Sequence, residues 1–170
     1  MALYNKRMNQ QVYEVIACLE NDDLEKDMGA YFGSILGTLN HILIGDLLWL
    51  SRFKGHSNRY NALSKLEFYP QPSSLNEVLY KELHTLERAR SEIDLIIISW
   101  VSETEESDFE KSFTYQDTKG VLYQKSFGSV VGHFFNHQTH HRGQVSTLLC
   151  QLGKDVGVTD FIVDIPRKNA

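Results

Sequence analysis

Proline is the residue that most restricts what this chain can form. Only Pro70, Pro72 and Pro166 occur in 170 residues. Proline removes a backbone donor and pushes the residue before it out of the helical region, so long stretches without it favour helices. Pro70 and Pro72 confine an extended run to Tyr69-Pro-Gln-Pro-Ser-Ser. The rest reads as a helix-dominated chain.

Four stretches carry apolar residues at helical intervals. The first covers residues 2 or 3 to 19, with Tyr4, Met8, Val12, Val15, Ile16 and Leu19 on one face. Asn21-Asp22-Asp23 closes it and opens a connection to about Gly33. The second, residues 34–53, is apolar almost all round (Ile35, Leu36, Leu39, Ile42, Leu43, Ile44, Leu47, Leu48), as expected of a centrally buried helix. A polar loop with Tyr60 and Tyr69 follows.

Ser74 and Glu77 have the spacing of a capping box, which predicts a third helix over residues 75–100. Glu103, Glu105, Glu106 and Asp108 then read as an acidic surface loop. Between residues 109 and 126, apolar and polar residues alternate around Asp117-Thr-Lys-Gly120, a two-stranded hairpin signal. The fourth helix is predicted over residues 129–152, stopping at Gly153, with a short helix or turn at 159–163. The expected fold is an all-α four-helix bundle with a long crossover and a small β-hairpin before the last long helix. It forms one domain over residues 1–170, with no internal repeat.

Charge and cysteine usage narrow the function classes. Lys plus Arg number 17 against 22 for Asp plus Glu, a formal net charge of −5 without a basic block. Nucleic-acid binding normally needs the opposite balance. Cys18 and Cys150 are too few for a disulfide scaffold and too far apart for a Cys-x-x-Cys site. Cys150 falls on the side of its helix away from the histidines described next and is expected in the core or an interface. The first eleven residues are polar and do not resemble a signal peptide, and the longest apolar run, 42–50, is broken by Gly45 and Asp46. A cytoplasmic protein that binds neither membrane nor nucleic acid is expected.

Seven histidines occur, and His133, His137, His140 and His141 fall within nine residues. Residues four apart share a helix face, so His137 and His141 can offer two imidazoles to one point. His133 extends the stripe, whereas His140 is turned away by about 100°. His41 sits in the apolar second helix, where an uncompensated imidazole is unfavourable, in line with small residues Gly37 and Gly45 that leave room beside its ring. If the second and fourth helices are neighbours, His41, His137 and His141 form a three-nitrogen site. Three protein ligands and an open position are the pattern of a catalytic rather than a structural zinc site. Imidazole suits several divalent ions: zinc or nickel first, with iron, manganese and copper as further candidates.

Other chemistries are excluded. Gln138 stands where a His-Glu-x-x-His protease has its glutamate, and there is no Glu-x-x-His, Gly-x-Gly-x-x-Gly or P-loop. Gln144 lies near the ligand face and is expected to orient a ligand or a bound water. Asp46 lies five residues beyond His41 and Arg142 five beyond His137, so each points about 140° from that ligand, and the two are expected to form a structural ion pair. Trp49 and Tyr123 are assigned to core packing or a dimer contact, with the cavity mouth as the other place for them.

The string His137-Gln-Thr-His-His-Arg-Gly-Gln144, preceded by Phe-Phe-Asn136, resembles the last long helix of the DinB/YfiT-like metalloprotein family. Leu39-Asn-His-Ile-Leu-Ile-Gly-Asp-Leu-Leu-Trp49 is similar to that family's second helix, and the tail from Gly157 to Pro166 fits its damage-inducible DinB subgroup, unrelated to the DNA polymerase of the same label. The resemblance implies a frequently dimeric bundle with a divalent ion held by His41, His137 and His141. It also implies a small-molecule substrate, since characterised relatives include transferases and an isomerase that use low-molecular-weight thiols. The expected function is a metal-dependent enzyme of the thiol S-transferase or hydrolase type. The alternative is a non-catalytic metal- or ligand-binding stress-response protein.

Overall fold

The computed structural model describes residues 1–167; the last three residues of the expected domain lie outside them. Four long helices form the bundle: α1 (Ala2–Ile16), α3 (Ile35–Phe53), α4 (Leu83–Ser102) and α6 (Phe127–Gln151). Two short helices, α2 (Asn21–Glu25) and α5 (Glu106–Glu110), lie in the connections. Helix α1 packs on α4 and α6, and α3 packs on the same two, so α1 and α3 occupy opposite corners. The hairpin expected before the last helix is present as β1 (Ser112–Gln116) antiparallel to β2 (Leu122–Ser126), with Tyr115 opposite Tyr123. Among the described residues no helix is long and apolar enough to cross a membrane.

Helix α3 begins where the sequence says. Ser34 is extended, and its side chain accepts a hydrogen bond from the Gly37 amide (3.1 Å), satisfying one of the orphan donors at the helix start. Ile35, Leu43, Ile44, Leu50 and Phe53 are fully buried, consistent with an all-round apolar helix. At its far end, Phe53, Trp100, Phe113, Phe127 and Phe134 form one aromatic cluster, with ring centroids 5.1–5.7 Å from Phe53. This cluster joins α3, α4, the hairpin and α6.

Several expected boundaries move. Helix α1 stops at Ile16 rather than residue 19, and residues 21–25 form a turn of helix instead of a plain connection. The crossover contains a 3-10 helix, Asn61–Phe68. The expected acidic surface loop contains α5, and its Asp108 is buried. That carboxylate accepts from Arg59, Tyr60, Lys111 and the Glu105 amide, which hold it well below the usual carboxylate range despite burial.

The third long helix starts at Leu83, eight residues later than the expected position 75. Ser74 is not its cap. Glu77 instead accepts from the Ser73 amide and hydroxyl (2.7 Å each), so the carboxylate closes a local turn. Buried Asn40 then pins the following backbone to α3: its side chain donates to the Tyr80 carbonyl (3.0 Å) and accepts from the Tyr80 amide (2.9 Å). Two tertiary bonds to one residue outweigh a local capping preference.

Candidate metal site

The side-by-side packing of α3 and α6 is antiparallel. His41 meets His137 and His141, Trp49 one step further meets His133, and Phe53 meets Phe127 and Phe134. This arrangement brings the three histidines from distant parts of the chain to one point. The His41 Nε2 atom lies 3.2 Å from His137 Nε2 and 3.2 Å from His141 Nε2. All three ligand atoms lie within 4.8 Å of one another.

The spacing has a direct physical meaning. Nitrogens bound at 2.0–2.1 Å to one tetrahedral ion lie about 3.3–3.4 Å apart. Hydrogen bonds elsewhere fix which ring nitrogen carries the proton. His41 Nδ1 donates to the Leu75 carbonyl (3.0 Å), and His141 Nδ1 donates to Gln144 Oε1 (2.7 Å). Each bond leaves the Nε2 lone pair bare and pointing at its neighbours. The His41 and His141 lone pairs face each other at 3.2 Å with no proton between them and repel unless a cation lies there, so this donor set fits a cation at its focus.

Burial keeps the rings neutral. His41 and His141 are buried, and desolvation pushes both imidazoles below their ordinary value, although the Leu75 and Gln144 bonds oppose the shift. His137 is pushed furthest, to about 3, by burial and then by the neighbouring His141 and His41. Neutral imidazole is the metal-binding form.

Two glycines make the convergence possible. A Cβ on Gly45 would lie 2.7 Å from His137 Cε1, so the His137 ring rests directly against the α3 backbone. A Cβ on Gly37 would lie 2.2 Å from the Phe32 carbonyl oxygen. That close approach lets Phe32 stack on His41, with centroids 3.7 Å apart and planes at 18°, and meet His141 edge-on at 5.6 Å. Phe32 therefore shields one side of the triad. Gly45→Ala is expected to displace the His137 ring and weaken divalent-metal binding by roughly ten- to a hundredfold, the size seen when ligand-orienting groups are changed. Competition against a chromophoric chelator measures this; unchanged affinity would show that the contact is irrelevant.

The remaining histidines take other places. His133 is exposed one turn before His137, with ring centroids 6.0 Å apart, and packs edge-on against Trp49. His140 is exposed beside His141, and Gln144 Nε2 lies 3.4 Å from its Nε2. Cys150 is exposed rather than in the core. Trp49 and Tyr123 both face an open cleft of about 420 Å³ that begins at His41 and His137.

The expected Asp46–Arg142 ion pair is not formed. Asp46 receives Arg90 from α4 and Gln138 Nε2 from α6 (2.6 Å), and Arg90 also pairs with Asp94 (3.0 Å). Arg142 instead donates to Asn5 and Asn9 of α1, whose amide groups also bond Asp94. Helical angles gave the direction of each side chain but not the helix it would meet. The result is a buried polar network behind the triad, tying all four long helices. Sequence reading also missed Phe32 and the Leu75 carbonyl, both on connections; Gly29 and Gly33, with φ of +72° and +75°, were the available signal of a tight turn at Phe32.

The sequence profile of the DinB family matches residues 1–168. The chain is 24% identical over 158 residues to "Protein DinB" of Bacillus subtilis (strain 168), covering 93% of this chain and 87% of that protein. No solved structure matches.

Proposed function

Because this chain belongs to the DinB family, and its three imidazoles share one focus beside an open cleft, we propose that it is a divalent-metal-dependent enzyme acting on a small molecule, with a low-molecular-weight thiol as co-substrate. The observation that carries the reading is the 3.2 Å spacing of the His41 Nε2 atom from each of its two partners. His41, His137 and His141 would hold the ion. A divalent cation with an open position lowers the pKa of a thiol or water, supplying a nucleophile at neutral pH.

The protein's residues prepare that chemistry. Leu75 and Gln144 hold two rings with Nε2 toward the focus where an ion would be held, and Phe32 keeps water from one flank. The opposite flank opens into the cleft, where a substrate can approach. Metal analysis of protein purified without a polyhistidine tag, followed by thiol-transfer assays on electrophiles, tests the reading. One ion per chain and metal-dependent transfer are expected; a metal-loaded protein inert towards every thiol and electrophile pair contradicts it.

The lowered imidazole pKa values give a pH prediction with a definite sign. Each ring titrates lower in the fold than in the unfolded chain, near 6.5. Their contribution to the stability of the metal-free protein is therefore fully present above pH 6.5 and lost as pH falls, towards about 3 for His137. Metal binding at pH 6 should release fewer protons per ion than the roughly two that three ordinary histidines would give up, with His137 contributing essentially none. Titration calorimetry in buffers of different ionisation enthalpy decides between these numbers.

A further inference from the structure

The cleft carries polar side chains at both ends of a partly apolar wall. At one end are His41 and His137; α3 then contributes Gly45, Leu48, Trp49 and Arg52, residues four, seven, eight and eleven positions beyond His41 and so on one helix face. The hairpin forms the facing wall with Tyr115, Tyr123 and Lys125. Arg52 and Lys125 place two cations at the end away from the triad, in a chain whose net charge is −5.

Arg52 is held but not saturated. Its guanidinium carbon sits 4.7 Å from the Trp49 ring and 5.6 Å from the Tyr115 ring. Such contacts use the flat face of the group and leave its in-plane N–H donors available. Among the described residues Arg52 forms no salt bridge, and no acceptor takes its donors. The one carboxylate lining the cleft, Asp117, acts on Arg52 as a nearby charge but forms no salt bridge with it; its Oδ1 is held by the hairpin turn, accepting from the Lys119 amide (2.8 Å) and the Val121 amide (2.9 Å). Lys125 lies over Tyr123, 5.4 Å from its centroid, and likewise makes no ion pair among the described residues. Half-buried guanidinium donors with aromatic support and no partner suit a planar anion entering from the cleft.

We infer that Arg52, assisted by Lys125, is the specificity determinant for a carboxylate or similar oxyanion on the substrate, bound two to three helical turns (roughly 11–16 Å) from the metal focus. This rests on the three-histidine reading above. The substrate class is then an elongated small molecule of about the cleft's volume, with a metal-seeking atom at one end and an anionic group at the other.

Two thiols of equal length, with chains long enough to reach from the metal focus to Arg52, separate charge from everything else: 11-mercaptoundecanoate and 11-mercaptoundecanol. Their binding to cobalt-loaded protein is read from the thiolate-to-cobalt charge-transfer band. The carboxylate is expected to bind about ten- to a hundredfold tighter than the alcohol in the wild type. Arg52→Gln should collapse that ratio to within about threefold while leaving the alcohol's affinity unchanged, and Lys125→Gln should reduce it less. A protein that loads cobalt but binds both thiols equally, or binds neither, overturns the inference and leaves the triad standing. Loss of both affinities together in Arg52→Gln also overturns it, because the arginine would then be shaping the cleft rather than selecting charge. Failure to load cobalt removes the triad reading and the inference with it.

Discussion

Replacing Arg90 with methionine is expected to lower the folding free energy of the metal-free protein by about 3–5 kcal/mol, the usual cost of leaving a buried charge without its partner. Asp46 and Asp94 have side chains only 1% and 2% exposed, and Arg90 is 3% exposed. Burial works against the charge on Arg90, but Asp94 and Asp46 outweigh it and raise its pKa. Without the guanidinium, two carboxylates face each other across the bundle with only Asn5, Asn9 and Gln138 as donors. For a chain of this length the loss corresponds to a fall in Tm of roughly 6–20 °C. Arg88 is the control, since its pair with Glu92 is solvent-exposed, and Arg88→Met should leave Tm nearly unchanged. Thermal unfolding of both variants checks this; equal effects would show that the network is not specially stabilising. Asp46 follows Gly45, and Gln138 follows His137, so Arg90→Met should also loosen metal binding.

Replacing any one of His41, His137 or His141 with alanine is expected to weaken zinc binding about a hundredfold to a thousandfold. Four-ligand structural sites bind with apparent free energies of about 10–16 kcal/mol, which apportions to about 2.5–4 kcal/mol per ligand. The metal-free fold should survive each change. The triad lies beside an open cleft, while the fully buried core at Phe53, Trp100, Phe127 and Phe134 lies further along α3 and α6. His137→Ala removes a desolvated ring crowded by two other imidazoles, so the metal-free Tm should hold or rise. A metal serving to stabilise the bundle would behave oppositely, with each variant unfolding when metal is lost. Chelator competition and thermal scans with and without metal separate the two outcomes.

The triad was legible because its signal is local and geometric. A four-residue spacing puts His137 and His141 on one face, and an imidazole inside an apolar helix at His41 needs a partner. Gly45 showed where space existed, although not that the His137 ring would fill it. Helix α3 was equally readable, because its apolar residues run almost all round the helix, as a centrally buried helix requires. The start of α4 was not. Ser74 and Glu77 carry a capping pattern, but the bonds that decide the segment come from Asn40 and His41, more than 30 residues away. The partner of Asp46 failed for the same reason: a wheel fixes an angle, while neighbouring helices fix which charge fills it. Phe32 illustrates the limit on loops, since its stacking on His41 depends on the close approach allowed by Gly37.

X-ray absorption on zinc-loaded protein, comparing wild type with His41→Ala, tests the metal centre most directly. Three imidazole nitrogens at about 2.0–2.1 Å are expected in the wild type, completed by a light-atom donor that added thiol replaces with sulfur at about 2.3 Å, and two imidazoles in the variant. An imidazole count unchanged by removing His41, or a wild-type coordination sphere that no thiol can enter, would contradict it.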